Sequence, residues 1–293
     1  MKRPSNTQSF FRVKTEPTHL KTAICRICQQ QSDALFSARI LNKYDTCYFR
    51  CSQCGFIQTE APHWLGEAYD SAITSLDVGL VRRNLDLAAQ TENIIDRNFE
   101  REARFLDFAG GYGLFVRLMR DKGYDFFRQD KFCPNLFAVN YDLNDLPSST
   151  RFELVTAFEV FEHLADPRQE AQRMLELSDS VFLTTEIVPA TPIARPEDWS
   201  YFAPETGQHI SFFSVKALEI LAGQVGCHLW TNHLTAHLLT RRELKTDPFA
   251  SNGGALSNVL ARVMRKIGLR QQQPLKSRIE DDYEFAKKKA KGL

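Results

Sequence analysis

Three side chains that can transfer a proton stand close together near the middle of the chain. Glu159, Glu162 and His163 follow an apolar run at 152–157, and their positions are i, i+3 and i+4. A helix that begins directly after this run would carry all three on one face. Histidine titrates near neutral pH, so His163, and with it Glu162, is a candidate general base. The structural alternative is that the acids interact with a helix dipole and that the histidine is a hydrogen-bonded packing residue.

A second histidine, His209, lies in a long segment rich in aromatic residues, 199–214. Long loops that carry aromatic side chains and a histidine are more often functional than structural. The segment is expected to form a lid or wall over a substrate, with His209 directed inward. Ser214 is expected to cap the helix that follows.

A glycine-rich turn is the first of the elements that must position these groups. The segment RFLDFAGGYG at 104–113 begins as an apolar strand that ends in an acid, continues with three glycines within four positions, and leads into a helical pattern. Small residues at such a turn leave backbone N–H groups accessible to a bulky ligand. A second short strand at 124–129 ends at Asp130, where a carboxylate can accept hydrogen bonds from ribose hydroxyls. The two features predict a nucleotide-type ligand, and a dinucleotide enzyme would use the same two devices.

The order and spacing of these segments over residues 64–240 resemble the class I S-adenosylmethionine-dependent methyltransferases. The resemblance is carried by DFAGGYG at 107–113, by Asp130 and by FELVTAFEVFEHLADP at 152–167. It implies an α/β fold with a doubly wound, seven-stranded Rossmann-like sheet, and S-adenosylmethionine as the cofactor. The cofactor-binding residues that it implies are Asp107, Ala109, Gly110, Gly111, Gly113, Asp130 and Glu159.

The resemblance also implies individual roles. Asp107 would organise the loop around the amino acid end of the cofactor, and Asp130 would hold the ribose. Ala109 stands where the family usually has its first glycine, a change between two small residues. Tyr69 matches a tyrosine that reaches the cofactor or the substrate in related enzymes, with a packing role as the alternative. Three residues are open as the adenine contact: Tyr141, Asp142 and Leu143.

Methyl transfer is an in-line displacement in which the protein aligns the acceptor and, for a weak nucleophile, removes a proton. His163 or His209 would serve as the base, and Glu162 is the third candidate catalytic residue. The Glu-x-x-Glu-His pattern with a distant histidine also resembles the magnesium-dependent small-RNA 2′-O-methyltransferases and some ubiquinone-pathway O-methyltransferases. In those enzymes a cation gathers the acceptor hydroxyls. Magnesium prefers oxygen ligands, so a site with two histidines would be atypical of that ion, and these residues are not assigned as metal ligands.

Four cysteines form two Cys-x-x-Cys pairs with twenty-two residues between them. The pairs are Cys25 with Cys28, and Cys51 with Cys54. Two turns that each present two thiolates predict a closed tetrahedral site for structural zinc. Residues 34–40 and 46–50 would supply the hairpin of a zinc ribbon. Cys47 competes as a ligand only if the second pair is distorted, and Cys133 and Cys227 lack partners.

A zinc ribbon followed by a methyltransferase core resembles bacterial sugar C-methyltransferases and their relatives from polysaccharide or antibiotic pathways, in which the ribbon helps to build the substrate cleft. The expected acceptor is therefore a nucleotide-linked sugar, a glycan intermediate or a related small molecule. Zinc ribbons also bind nucleic acid, but the segment between the cysteine pairs carries only scattered basic residues, Arg39, Lys43 and Arg50. The alternatives are an RNA methyltransferase and a degenerate methyltransferase that acts as a scaffold.

The 293 residues, 43% of them hydrophobic, can build one large core and a small accessory module. A formal charge of +1 predicts no general attraction to nucleic acid. The chain shows no secretory signal and no apolar stretch of about 18 residues, so a cytoplasmic protein with reduced thiols is expected. The expected divisions are a flexible N-terminus at 1–20, a zinc-ribbon module at 21–60, a class I methyltransferase domain at 61–242 and a C-terminal helical extension at 243–293.

The remaining patterns complete the expected fold. A long helix is predicted within 62–94, and strands are predicted at 180–187, 227–231 and 234–240, the last two antiparallel. A helix at 257–268 is expected to pack on the domain, and contact with a membrane surface or a glycosyltransferase partner is the alternative.

Overall fold

The computed structural model describes residues 21–69, 77–250 and 273–291. The strands are β1 Thr22–Ile24, β2 Gln31–Ile40, β3 Tyr44–Cys51, β4 Ile57–Thr59, β5 Arg104–Phe108, β6 Asp125–Gln129, β7 Leu154–Phe158, β8 Ser180–Thr184, β9 Ser211–Phe212, β10 His228–Thr231 and β11 Ala236–Thr240. The α-helices are α1 Leu65–Ala68, α2 Leu80–Asn98, α3 Leu114–Asp121, α4 Pro167–Leu177, α5 Val215–Gln224 and α6 Ile279–Ala290. No helix within these ranges is long and apolar enough to cross a membrane.

The central sheet has the strand order β10-β11-β8-β7-β5-β6. The four strands from β6 to β8 are parallel, and β11 and β10 are antiparallel to their neighbours. Parallel strands β5, β6, β7 and β8 end at the same edge of the sheet, which is the edge where doubly wound folds bind ligands. The predicted α/β class and the antiparallel pair at the edge are confirmed.

The described part of the central sheet has six strands, where seven were expected. The missing strand should follow β6, but only one parallel bridge, between Arg128 and Asp142, forms there. Pro134 has no N–H to donate to a strand ladder. Asn135 instead closes a local turn, accepting a hydrogen bond from Ala138 N at 2.9 Å. The segment after β6 is therefore a folded loop beside the glycine turn.

Helices cover both faces of the central sheet because neighbouring residues of each strand point in opposite directions. On one face, Leu106 and Val155 belong to a core that includes Met174 of α4 and Leu218 of α5. On the other face, the core contains these residues of the strands and of α2 and α3: Phe105, Phe126, Ile94, Ile95, Phe115 and Met119. The sheet is thus doubly wound and its strands are buried on both sides, as near-continuous apolar strands require.

The N-terminal sheet has the order β1-β2-β3-β4-β9. The predicted hairpin is formed by β2 and β3, and the positive φ angles of Leu41 and Asn42 place its turn. The fifth strand, β9, comes from the predicted methyltransferase domain, since Ile57 pairs with Phe212. This pairing joins the cysteine-containing segment directly to the chain that carries His209.

The C-terminal helix α6 docks on the central domain through one buried acid, Asp282. Its carboxylate accepts two hydrogen bonds from Arg120, at 2.7 and 2.8 Å, one from Arg117 at 2.9 Å and one from the Tyr141 hydroxyl at 2.8 Å. Such bidentate, charge-assisted contacts are the strong class of protein hydrogen bond. The predicted helix at 257–268 lies outside the described residues.

Two helix predictions were wrong. The expected long helix is two helices, α1 and α2, with a turn before Leu80 that includes Gly79, a poor helix former. The helix expected to begin at Glu159 does not form, because that residue has φ 53°, in the left-handed region. The chain instead makes a short 3-10 turn at Phe161–His163, and α4 begins after Asp166, whose side chain caps it by accepting from Gln169 N at 3.0 Å.

Candidate active site

The glycine turn after β5 is a sharp loop in the left-handed region of backbone space. Ala109, Gly111 and Gly113 have φ angles of 56°, 54° and 85°. A Cβ added at Gly111 would meet no atom within 4 Å, whereas one at Gly113 would lie 2.8 Å from Asn135 Oδ1. The loop is therefore packed at Gly113 and open at Gly111, which is where a ligand can approach the backbone.

Asp107, at the end of β5, lies beneath this loop and is 3% exposed. Its Oδ1 accepts a hydrogen bond from the Thr156 hydroxyl at 2.7 Å. Burial raises the pKa of Asp107 to about 7, against the opposing effect of the Thr156 hydrogen bond. A Cβ at Gly110 would lie 2.5 Å from Asp107 Oδ2, so only glycine fits there.

Asp130 ties the loop after β6 to the glycine turn. Its Oδ2 accepts from Gly111 N at 3.0 Å, and its Oδ1 accepts from Phe132 N at 2.7 Å and from Cys133 N at 2.8 Å. An ionised carboxylate offers about four lone-pair sites, so three are in use here. Asp130 thus holds the loop in shape and retains limited capacity for ribose hydroxyls.

Arg128, which the sequence analysis did not single out, lies under the same loops and is 4% exposed. Its guanidinium donates to Asp142 Oδ1 at 2.7 Å, to Cys133 O at 3.1 Å and to the carbonyl of Gly111. The sequence does contain a signal for a buried functional cation at this position, because Arg128 interrupts an apolar strand, FFRQ. A buried cation requires several hydrogen-bond acceptors, and here the acceptors are oxygens of the loops around the expected cofactor site.

Glu162, His163 and His209, which we call the Glu-His-His cluster, are brought together although His209 is distant in sequence. Their ligand atoms lie within 4.8 Å of one another, and the two imidazole centroids are 4.9 Å apart. His163 lies on the 3-10 turn after β7, and His209 on the loop before β9. Glu159 belongs to a different contact, since its Oε1 accepts from the Thr184 hydroxyl at 2.8 Å.

Backbone carbonyls set the tautomers of both histidines. His163 Nδ1 lies 3.1 Å from Gln208 O, and His209 Nδ1 lies 2.6 Å from Tyr201 O. Nδ1 must carry the proton in both rings, so Nε2 is the nitrogen with the lone pair. Burial, reinforced by His209, lowers the pKa of His163 to about 3, and burial also lowers that of His209. Both rings are neutral at neutral pH.

Glu162 is fully buried, and neither carboxylate oxygen has a hydrogen-bond partner among the described residues. The nearest basic atom, His163 Nε2, lies 3.9 Å from Oε1. Burial, followed by the charge of Glu159, raises the pKa of Glu162 well above its usual range. A buried acid whose oxygens make no hydrogen bond is costly even when it is protonated, and it is retained where it binds or reacts with something.

Tyr69 lies between the two halves of the site. Its ring stacks on Phe132, with centroids 5.3 Å apart, and meets the edge of His163 at 6.2 Å. Phe132 follows the Asp130 loop, so Tyr69 connects the expected cofactor pocket to the Glu-His-His cluster. Of the adenine candidates, Asp142 bonds to Arg128, and the hydroxyl of Tyr141 bonds to α6.

The four predicted zinc ligands form a compact thiol cluster. Cys25 Sγ lies 3.6 Å from Cys54 Sγ, Cys28 Sγ lies 3.4 Å from Cys51 Sγ, and all four sulfurs lie within 4.8 Å of one another. Sulfurs at the corners of a tetrahedron around zinc are about 3.8 Å apart, given a Zn–S bond of about 2.3 Å. The cluster is thus compatible with zinc, and Cys47 lies outside it.

Several partners of the predicted residues were missed because they are distant in sequence. Thr156, Thr184, Tyr201 and Gln208 each bond to a predicted site residue. The threonines at least carry a signal, since both are polar residues within apolar strands.

Comparison with known proteins supports the same assignment. The family model described as "Methyltransferase domain" matches residues 81–232, which include the glycine turn and the Glu-His-His cluster. No curated protein matches the chain.

Similar solved structures include CalO1, a methyltransferase of calicheamicin biosynthesis with S-adenosylhomocysteine bound, at 13% identity and a TM-score of 0.36. An O-methyltransferase family protein from Burkholderia thailandensis has 11% identity and a TM-score of 0.40. For both, 56% of this chain is covered, and the chain spans 57% of the length of those proteins. The N-terminal domain of EvdMO1, crystallised with S-adenosylhomocysteine and D-fucose, has 13% identity and a TM-score of 0.34, with 55% of this chain and 83% of that domain covered. The family match spans more than half of the chain, which therefore belongs to this methyltransferase-domain family.

Proposed function

We propose that this protein methylates a small molecule of the nucleotide-linked sugar or glycan-intermediate class, and that the Glu-His-His cluster handles the acceptor. The observation that carries the proposal is the convergence of a fully buried carboxylate and two neutral imidazoles at the ligand-binding edge of the sheet. A hydroxylated acceptor needs groups of this kind to orient it and to receive its proton.

The glycine turn fits the cofactor. The backbone is open at Gly111, and the buried Asp107 and Arg128 hold the loop from below. Bound S-adenosylmethionine supplies an activated methyl group on a sulfonium leaving group. Asp107, Gly111 and Asp130 would bind and orient the cofactor, and Tyr69 would separate its pocket from bulk water.

The cluster can receive a proton at a defined atom. The lone pair on His163 Nε2 or His209 Nε2 would accept the proton of the acceptor. An imidazolium at His163 would lie 3.9 Å from Glu162 Oε1, and the partial negative charge of that oxygen favours the protonated ring. Because the pKa of neutral His163 is low, the proton moves only as the acceptor oxygen becomes acidic during methyl transfer.

A second candidate role for the same cluster is divalent metal binding. The two Nε2 atoms and the Glu162 carboxylate resemble the donor set that two histidines and a carboxylate offer to transition metals. The carbonyls that hold both Nδ1–H groups are the usual outer contacts of metal-bound histidines. The lack of hydrogen bonds at Glu162 favours this candidate. A metal there would bind acceptor hydroxyls, with Glu162, His163 and His209 as ligands.

The test is a mass-spectrometric screen of nucleotide sugars for the gain of one methyl group. We expect a methylated product with the wild type. His163→Asn and His209→Asn should lower the rate by about 10²–10⁴-fold if these residues are bases. His228→Asn, an exposed histidine on β10, is the matched control and should leave the rate unchanged. Full activity of both cluster variants would contradict the proposal.

Metal analysis separates the two roles of the cluster. A metal site predicts more than one bound ion per chain, and Glu162→Gln should remove the second ion while the thiol cluster keeps the first. A base alone predicts one ion per chain and activity that survives mild chelation. Tight RNA binding with a steep salt dependence, together with inactivity on all sugars, would instead favour the RNA methyltransferase.

A further inference from the structure

Arg26 lies between Cys25 and Cys28 of the thiol cluster, and its guanidinium bonds to two other segments of the chain. Its Nη2 donates to Thr59 O at 2.7 Å and to Glu60 O at 3.2 Å. These contacts fix the end of β4, the strand that receives β9.

The other guanidinium nitrogen of Arg26 reaches the segment that carries His209. Nη1 lies 3.2 Å from Ile210 O and 3.4 Å from Ser211 Oγ. Ile210 directly follows His209. Arg26 therefore bonds both to the end of β4 and to the start of β9, the strand that follows His209.

The same segment is bonded to the turn that carries the rest of the cluster. Ile210 N donates to Glu162 O at 2.8 Å, and the Ser211 hydroxyl donates to Leu164 O at 2.7 Å. The peptide after His209 thus lies between Arg26 on one side and the Glu162–Leu164 turn on the other. His209 directly precedes this peptide, and His163 lies on the turn. A shift of the peptide would therefore move His209 relative to His163.

The second cysteine pair holds the far end of this segment. The Ser214 hydroxyl donates to the Cys54 carbonyl and accepts from Ala217 N, which caps α5. A Cβ at Gly55 would lie 3.3 Å from Ser214 Cβ, so the turn and the cap are in close contact. Residues 210–214 are therefore hydrogen-bonded to both cysteine pairs, through Arg26 in the first pair and through the Cys54 carbonyl in the second.

Metal binding would place negative charge at the thiol cluster, which is next to Arg26 in the chain. In the described part of the chain the guanidinium forms no ion pair, and its hydrogen-bond acceptors are neutral oxygens. A zinc ion with four thiolates has a net charge of −2, which would stabilise a half-buried cation beside it. Metal binding would therefore stabilise the observed position of the Arg26 guanidinium, and with it the position of Ile210 and Ser211 next to His209.

We propose that Arg26 is a positioning residue, which transmits the geometry of the zinc site to the Glu-His-His cluster. The inference rests on the proposed function of that cluster. The zinc site then acts on catalysis by setting the His163 and His209 geometry, without itself contacting the substrate.

The test compares Arg26→Lys with a matched control, Arg241→Lys. Lysine keeps the charge but cannot offer the planar fork that reaches both carbonyls and the hydroxyl. Arg241 also donates to a backbone carbonyl, Leu175 O at 3.2 Å, but lies at the opposite edge of the sheet. Ser211→Ala is a milder second variant, because it removes the hydroxyl that links Arg26 to Leu164.

The readout is the side-chain ¹H–¹⁵N NMR spectrum of the histidines in zinc-loaded full-length protein, with His163 and His209 assigned from their Asn variants. The wild type should show the Nδ1–H tautomer for both rings. In Arg26→Lys we expect shifted His163 and His209 signals, with a smaller change in Ser211→Ala. Zinc content should stay at one or more per chain, and Arg241→Lys should match the wild type.

Unchanged histidine signals in Arg26→Lys and Ser211→Ala would overturn the inference, even if the melting temperature falls. If an acceptor is found, Arg26→Lys should lower kcat by about tenfold and leave the KM for S-adenosylmethionine unchanged. The NMR result does not depend on activity, so it decides the role of Arg26 even if the proposed acceptor class is wrong.

Discussion

At the scale of single residues, the expected cofactor and acceptor sites contain groups held in states that folding alone disfavours. Asp107 is a buried acid, Ala109 has a left-handed backbone, and Glu162 is a buried acid whose oxygens make no hydrogen bond to the described residues. Each costs stability, and each lies at the edge of the sheet where the ligands are expected. Such sites are typical of function that is retained at the expense of stability.

Ala109→Gly should stabilise the cofactor-free protein. A non-glycine residue in the left-handed region costs about 1 kcal/mol, so the free energy of unfolding should rise by about that amount. Urea denaturation measures the change. Ala89→Gly, at an exposed position within α2, should have the opposite effect and cost about 1 kcal/mol. A loss of stability in both variants would contradict the left-handed assignment at Ala109.

Asp107→Asn should change how stability depends on pH. The folded pKa of about 7 exceeds the usual value of 3.8, so between these pH values the folded state binds the proton more strongly than the unfolded state. The free energy of unfolding of the wild type should therefore fall as pH rises from about 4 to about 7 and then level off.

The Asn variant should lack this slope and should be the more stable protein at pH 8, by at most roughly 4 kcal/mol. Urea denaturation of both proteins at pH 5 and pH 8 measures it. The variant should also bind S-adenosylhomocysteine less tightly. An identical pH dependence in the two proteins would show that Asp107 is not a raised, buried acid.

At the scale of elements, local signals in the sequence predicted some segments well and others poorly. The strand before the glycine turn was predicted to end at the acid Asp107, and β5 ends one residue later, at Phe108, because an apolar run that meets glycines has a clear end. The helix α5 has the predicted cap at Ser214. The helix at Glu159 was wrong because its amphipathic spacing does not reveal a positive φ. The docking of α6 could not be predicted, since its charged sequence resembles a solvated helix and its buried acid pairs with distant arginines.

Asp282→Asn should detach α6. The change leaves Arg120 with only Asp125 as an anionic partner, so we expect a loss of about 3 kcal/mol in the free energy of unfolding. Limited proteolysis within α6 should become faster. Glu280→Gln, whose side chain is 82% exposed and pairs with Lys276, should cost less than about 1 kcal/mol. Equal effects of the two variants would contradict the docking role of Asp282.

At the scale of the whole molecule, the cysteine segment and the methyltransferase core are joined by shared structure. The strand β9 completes the N-terminal sheet, and a core that includes Tyr48, Trp64 and Phe212 spans the two parts. The sequence predicted both parts and their order, but pairing between β4 and β9 spans more than 150 residues and has no local signal. The domain boundaries at 60 and 242 stay predictions, and the pairing argues that residues 21–60 depend on the core.

Cys54→Ser should therefore both remove the metal and weaken the pairing of β9 with the N-terminal sheet. Purified wild type should contain about one zinc per chain at the thiol cluster, and the variant should lose it, because three thiolates hold zinc less tightly. The loss should also loosen β9 and be visible as faster amide exchange at Ser211 and Phe212. Cys227→Ser, outside the cluster, is the control and should retain both properties. Metal-free wild type that is fully folded would refute the zinc assignment.

The central claim is that the glycine turn binds the cofactor, and calorimetric titration with S-adenosylhomocysteine tests it most directly. The informative pair is Gly111→Ala and Gly226→Ala: both glycines have a positive φ, 54° and 71°, and at both a new Cβ would meet no atom within 4 Å. The two variants should lose similar stability, but only Gly111→Ala places a methyl group at the opening of the cofactor loop. We predict micromolar binding by the wild type and by Gly226→Ala, and at least about tenfold weaker binding by Gly111→Ala, a difference of about 1.4 kcal/mol. Absence of binding by the wild type, or equal affinities in the two variants, would contradict the account.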